Sequence, residues 1–244
     1  MYPTLFKIGN ITIHSYGLMI SLGFLLAILI VYFESKRKGL DPGSALDLGL
    51  AAMIAGILGS KLLFVIRNWN YYSEYPINIL LDFGQGFIFY GGLILGAVAV
   101  ILVSYFKKIS IGTVADIFAP AIPLGHAIGR IGCLLRGCCF GKVSDYPWAI
   151  HLEGALRHPT QIYHFLHNFL IFVFLWFIRK KIKVEGNLLL IYLILYSIAR
   201  FITEFFRENP IFTFGLTGSQ VFSILVFLAS LIFLIYRYTI HKKI

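Results

Sequence analysis

Seven stretches of apolar residues, each near the length that crosses a bilayer, constrain this chain more than any other feature. A helical span needs about 20 such residues. The candidates run Tyr16–Phe33, Ala45–Ile66, Gly86–Phe106, Gly112–Leu135, Gln161–Ile178, Asn187–Phe205 and Gly218–Tyr238. Of the 244 residues, 59% are hydrophobic and 13% charged, where a soluble domain carries roughly 25% charged residues. One core cannot hide that much apolar surface, whereas lipid tails solvate it. The expected fold is all-α: a polytopic integral membrane protein of about seven transmembrane helices. It is read as a single transmembrane domain, 1–244, with a small outer-face N-terminal arm and outer loops.

The net charge of +10 raises the question of nucleic acid, and the placement of the charges answers against it. Lys36, Arg37 and Lys38 follow the first span, Lys107 and Lys108 the third, and Arg179, Lys180, Lys181 and Lys183 the fifth. Arg237, Lys242 and Lys243 close the chain. Short basic clusters beside apolar spans are the positive-inside signature. They predict cytoplasmic loops at 34–44, 107–111 and 179–186 and a cytoplasmic C-terminus. The N-terminus and the loops at 67–85, 136–160 and 206–217 then face outside. No cleavable leader is read at the start, so the first span is expected to act as its own insertion signal. Leu5–His14 alternates around Gly9-Asn10 and predicts a small hairpin.

Ionisable residues within or at the ends of spans must be paired or hydrated, which makes them candidates for function. Tyr196, Arg200, Glu204 and Arg207 recur at spacings of four, four and three, which puts them on one helix face. The stripe reads either as an ion pair that neutralises itself at a helix end or as a binding face. Two arginines against one carboxylate leave a surplus positive charge, which suits a bidentate phosphate contact. Arg130, in Gly129-Arg130-Ile131-Gly132, has no carboxylate within a turn. Its partner must come from another span, from water or from an anionic ligand. The glycines near it, Gly125, Gly129 and Gly132, read as close helix packing.

Tyr90-Gly91-Gly92 opens the third span, and the chemistry of Tyr90 alone fits an interfacial tyrosine. Lys61 lies inside the second span and must snorkel, pair or bind an anion. His14 and Tyr16 flank the start of the first span. Taken singly, each fits an interface position. Cys133, Cys138 and Cys139 lack a zinc-ligand spacing, and a bond between the adjacent pair would be strained. They read as small buried residues lining a turn, and no metal site is expected.

Several motifs, in order along nearly the whole chain, resemble the prolipoprotein diacylglyceryl transferase family. His14-Ser15-Tyr16-Gly17 is similar to the family's first-span opening, and Tyr90-Gly91-Gly92-Leu93 to its His-Gly-Gly-Leu element. Gly129-Arg130-Ile131-Gly132 resembles the start of its signature. Arg157-His158-Pro159-Thr160-Gln161-Ile162-Tyr163 is similar to Arg-His-Pro-Ser-Gln-Leu-Tyr, and Tyr196 to Arg207 to Tyr-Gly-x-x-Arg-Phe-x-x-Glu-Phe-x-Arg. The departures fall at the same places. Tyr90 stands for the family histidine, Cys133 for an asparagine, Lys61 for a second-span arginine, His164 for a glutamate and Ser197 for a glycine.

The resemblance implies transfer of a diacylglyceryl group from phosphatidylglycerol to the lipobox cysteine of a preprolipoprotein signal peptide, in the bacterial inner membrane. It implies no cofactor and no metal. Arg130 and Arg200 would stabilise the departing phosphate, with Tyr90 as a further catalytic candidate. Arg130, His14, Tyr16, Lys61, Gly91, Gly92, Tyr196, Glu204 and Arg207 would bind substrate. With Tyr90 a poor base, His14 or cationic lowering of the substrate thiol's own pKa would serve. Two readings from other classes stay open: a lipid-headgroup-binding or transport protein without turnover, and a cysteine-based membrane oxidoreductase.

Overall fold

The computed structural model describes residues 2–241 except Asn10 and Gln85. Asn10 of the expected hairpin turn and the basic residues Lys242 and Lys243 lie outside the described residues. In chain order the elements are β1 (Thr4–Ile8), β2 (Ile11–His14), α1 (Ser15–Arg37), α2 (Pro42–Arg67), α3 (Trp69–Glu74), α4 (Asn78–Leu81), α5 (Phe89–Phe106) and α6 (Ile111–Arg136). They continue with β3 (Ile150–Leu152), β4 (Ala155–Arg157), α7 (Thr160–Ile178), α8 (Asn187–Glu204), β5 (Ile211–Thr213), β6 (Leu216–Thr217) and α9 (Gly218–His241).

Among the described residues, seven helices are long and apolar enough to cross a membrane: α1, α2 and α5 to α9. A helix satisfies its own backbone groups, which lipid cannot do. Large apolar side chains face outward along them, including Leu25, Leu170, Phe177 and Ile232. That pattern suits lipid and would be costly in water.

The chain forms two compact units: the chain up to Ile30 together with the chain from Ala115 onward, and Val31–Val114. In Val31–Val114, α2 packs against α5 through glycines. A Cβ on Gly59 would collide with the Gly91 carbonyl, and one on Gly91 with the Gly59 carbonyl. The helices therefore meet backbone to backbone. Asp41 starts α2, its carboxylate accepting from the Ser44 N–H at 3.0 Å, with Pro42 at the first helical position. The third span begins at Phe89 rather than Gly86 because Gly86 has φ +69°, outside the helical region.

In the other unit, α6, α7 and α8 bury Ala119, Ile171, Leu175, Leu188 and Tyr192 together. Asp116 of α6 accepts the Leu188 N–H at 2.9 Å. Its carboxylate thus caps the start of α8, where the helix dipole favours negative charge. Pro120 and Pro123 lie inside α6. Each removes one backbone donor, which neighbouring helices can tolerate in a membrane. Gly23 of α1 and Gly125 of α6 approach closely: a Cβ on Gly23 would lie 3.0 Å from the Gly125 carbonyl oxygen.

The expected hairpin is β1–β2, which pairs antiparallel. The segments read as plain loops hold more structure than their sequence suggests. β3–β4 and β5–β6 are also antiparallel hairpins. Glu153-Gly154 and Phe214-Gly215 turn them with positive φ at both positions, the conformation of a type I′ turn.

Candidate active site

The C-terminal end of α6, the N-terminal end of α7, the C-terminal end of α8 and the start of α9 supply one polar cluster. Each helix contributes side chains at helical spacing. On α6, His126 and Arg130 are one turn apart, and Arg130 Nε donates to His126 Nε2 at 3.0 Å. On α7, His164 and His167 face the same way, with His164 Nδ1 and His167 Nε2 3.4 Å apart. The His126 ring stacks on His164 at 6.2 Å between centroids and lies 5.7 Å from Tyr196 of α8. His167 meets Tyr196 edge-on at 6.3 Å.

The hydrogen bonds around α7 fix a direction for the protons. The Thr203 hydroxyl donates to the Ala199 carbonyl at 2.7 Å. Its lone pair therefore faces His167 Nδ1, 3.4 Å away, which suits the tautomer with its hydrogen on that nitrogen. His167 Nε2 is then bare and accepts from His164 Nδ1–H. His164 Nε2 is left unprotonated and buried, without a hydrogen-bond partner among the described residues. In a neutral imidazole one nitrogen donates and the other accepts.

Glu204 organises the second half. It is fully buried at the end of α8, and its Oε2 accepts from Arg200 Nη1. Its Oε1 accepts from Asn209 Nδ2 at 2.6 Å and Thr217 Oγ1 at 2.9 Å. Arg200 Nη2 donates to Ser219 Oγ of α9 at 2.9 Å. Arg207 Nε lies 3.6 Å from Glu204 Oε2, too far for a hydrogen bond. The single carboxylate thus serves two guanidinium groups. Arg130 and Arg200 both act electrostatically on His126, His164 and His167. The surplus positive charge expected from the α8 stripe is present, and Arg130 adds to it.

The 137–160 loop closes over these helix ends. Gly141 is buried where a Cβ would strike the Phe206 carbonyl, so only glycine fits. Thr160 Oγ1 donates to the Cys139 carbonyl at 2.8 Å, and Gln161 Nε2 to the Cys138 carbonyl at 2.7 Å. His158 Nδ1 lies 3.0 Å from the Tyr163 hydroxyl. Burial, with Lys142 adding to it, holds His158 below its ordinary value. Between α7 and α8 runs an apolar groove of about 500 Å³. Leu166, Leu170 and Ile202 line it, and His167 and Thr203 stand in its wall.

The remaining candidates divide between the two units. Tyr16 sits against Gly132, with the Arg136 guanidinium 5.5 Å from its ring. His14 ends β2 and is exposed. Lys61, Tyr90, Gly91 and Gly92 belong to Val31–Val114. There the Lys61 ammonium donates to the Asp82 carbonyl at 2.6 Å, and Gly91 and Gly92 serve the α2–α5 contact. Tyr90 is 52% exposed. The histidine chain is the part that reading the sequence missed. Its signals were the four-residue spacing of His126 and Arg130 and the three-residue spacing of His164 and His167.

A sequence profile described as prolipoprotein diacylglyceryl transferase matches residues 3–236. A phosphatidylglycerol–prolipoprotein diacylglyceryl transferase of Clostridium tetani is 35% identical, covering 86% of this chain and 87% of the relative. A second, from Clostridium perfringens, is 34% identical over 93% and 91%. One from Dehalococcoides mccartyi is 33% identical over 99% and 95%. With its motifs in order and its length covered almost end to end, this chain belongs to the prolipoprotein diacylglyceryl transferase family.

Proposed function

We propose that this chain transfers the diacylglyceryl group of phosphatidylglycerol to the thiol of a lipobox cysteine in a preprolipoprotein, within the bacterial cytoplasmic membrane. The observation that carries the proposal is the guanidinium surplus: Arg200 and Arg207 share the carboxylate of Glu204, and Arg130, bonded to His126, adds a third positive charge to the cluster. It stands beside an apolar groove of about 500 Å³. An anionic headgroup joined to apolar tails fits both parts.

In the reaction, the bond between the glycerol carbon and its phosphate oxygen breaks. The carbon–sulfur bond forms, and glycerol 1-phosphate departs with the electron pair. Charge builds on that phosphate in the transition state, where fixed guanidinium groups stabilise it most. Arg130 and Arg200 take this role. His126 holds Arg130, and Glu204 with Ser219 holds Arg200. The guanidinium groups favour the thiolate form of the incoming cysteine, whose proton leaves to solvent. Tyr196 orients the His126 and His167 rings. Arg207 and Tyr16 contact the lipid headgroup. The proposal further assigns His14, Lys61, Gly91 and Gly92 to substrate contact and keeps Tyr90 as a catalytic candidate. The chemistry so written calls for no cofactor or metal.

The test is turnover by the full-length protein in detergent, with phosphatidylglycerol and a lipobox peptide, read by mass spectrometry. The peptide gains one diacylglyceryl mass, and a peptide with serine in place of the cysteine gains none. Lipid binding without product, beside an active reference enzyme, would overturn the transferase reading in favour of a headgroup-binding protein.

A further inference from the structure

The three cysteines play no part in the reaction above, yet the backbone gathers them. Gly137, with φ +78°, ends α6 and turns the chain back. The N–H groups of Gly137 and Cys138 then both donate to the Cys133 carbonyl, at 3.0 and 3.1 Å. This folds Cys138 over the last helical turn, beside Cys133. Cys139 makes a second reversal at φ +64°, a conformation that costs a residue with a Cβ of the order of 1 kcal/mol. The reversal is clamped from below, because the fully buried Thr160 and Gln161 hold the Cys139 and Cys138 carbonyls. The three Sγ atoms lie within 4.8 Å of one another, and those of Cys138 and Cys139 are 3.6 Å apart. All three are free thiols. A three-sulfur site with metal–sulfur bonds of about 2.3 Å needs sulfurs about 4 Å apart.

We propose that Cys133, Cys138 and Cys139 form a binding site for one soft, thiophilic cation, held by three sulfurs on a pre-shaped turn. Among the described residues, no further histidine, cysteine or carboxylate joins the group. Three sulfurs alone favour Cu(I), and Zn²⁺ would add a water as its fourth ligand. Each thiol releases its proton to solvent on binding, so a bound monovalent cation leaves a cluster of net charge −2. Arg130 and Arg207 act on Cys139, and Arg136 on Cys138. They offset that charge. Arg130 is also the proposed phosphate-stabilising group, so a loaded site draws its charge away from the substrate. Metal and phospholipid therefore oppose one another, reciprocally. This coupling, unlike the site itself, rests on the transferase reading.

The experiment titrates the reduced, full-length protein in detergent with Cd²⁺ as a spectroscopic probe, and separately with Cu(I) and Zn²⁺ against a competing chelator. One equivalent of Cd²⁺ per chain with an ultraviolet thiolate-to-cadmium band is expected, and Cu(I) held more tightly than Zn²⁺. Cys133→Ser, Cys138→Ser and Cys139→Ser each lose the band while keeping the wild-type melting temperature. No stoichiometric band in the wild type overturns the site, as does a band that survives the triple serine variant. So does a mass two hydrogens short of the reduced chain in native protein, which would mark a disulfide. If the band forms but saturating metal leaves turnover unchanged, the coupling is overturned and the site stands. If the band forms and no turnover occurs without metal, the transferase reading fails independently of the site.

Discussion

Single side chains in this protein carry charge that the surrounding lipid would not tolerate unpaired, and Glu204 shows how closely the pairing is set. Both its oxygens are engaged, one by Arg200 and the other by Asn209 and Thr217. Glu204→Gln turns one acceptor into a donor facing donors and leaves Arg200 without its counter-charge. Breaking such a pair costs about 3 kcal/mol. Thermal unfolding in detergent should show a clearly lowered midpoint, and an unchanged midpoint would mean the carboxylate is dispensable. His164→Asn removes the bare nitrogen at the end of the imidazole chain. The loss of the ring that stacks on His126 should lower the thermal midpoint in detergent, and an unchanged midpoint would show that this packing is dispensable. The Arg200–Glu204–Arg207 stripe was legible in the sequence because helical spacing puts it on one face. The histidine chain was not, because it joins α6 to α7, and no single-helix pattern reveals which faces meet.

At the level of elements, the apolar runs located all seven long helices to within a few residues, since length and hydropathy alone decide what can cross lipid. The hairpins β3–β4 and β5–β6 were missed because their turns are Glu153-Gly154 and Phe214-Gly215. Asn-Gly and Asp-Gly signal such turns, and Glu or Phe does not. The thiol group was missed for a related reason: ligand spacing along the chain says nothing of two left-handed reversals at Gly137 and Cys139. The glycine contact between α2 and α5 gives a discriminating test. A Cβ on Gly59 collides with backbone, whereas one on Gly56 meets its nearest neighbour at 3.8 Å, an ordinary contact. Gly59→Ala should therefore cost about 1–3 kcal/mol, and Gly56→Ala should leave the melting temperature within a degree or two of wild type. Equal effects of the two would refute the backbone-to-backbone packing.

For the whole molecule, the basic clusters at 34–44, 107–111 and 179–186 support the proposal that these loops face the cytoplasm. A membrane-impermeant label on a cysteine placed at exposed Gly154, in a Cys133→Ser, Cys138→Ser, Cys139→Ser background, should react in intact spheroplasts. The same label at Lys181 should react only after lysis, and the reverse pattern would invert the topology. In the proposed reaction two guanidinium groups, held by His126 and by Glu204, drive departure of a phosphate ester. The most direct measurement is kcat for Arg130→Ala and Arg200→Ala beside wild type, in the phosphatidylglycerol and lipobox-peptide assay, with folding checked by thermal melt. Each folded variant should lose about 10²–10³-fold, while Tyr90→Phe should lose less than about 10-fold. If either arginine variant folds and turns over within about 10-fold of wild type, that guanidinium does not stabilise the leaving group.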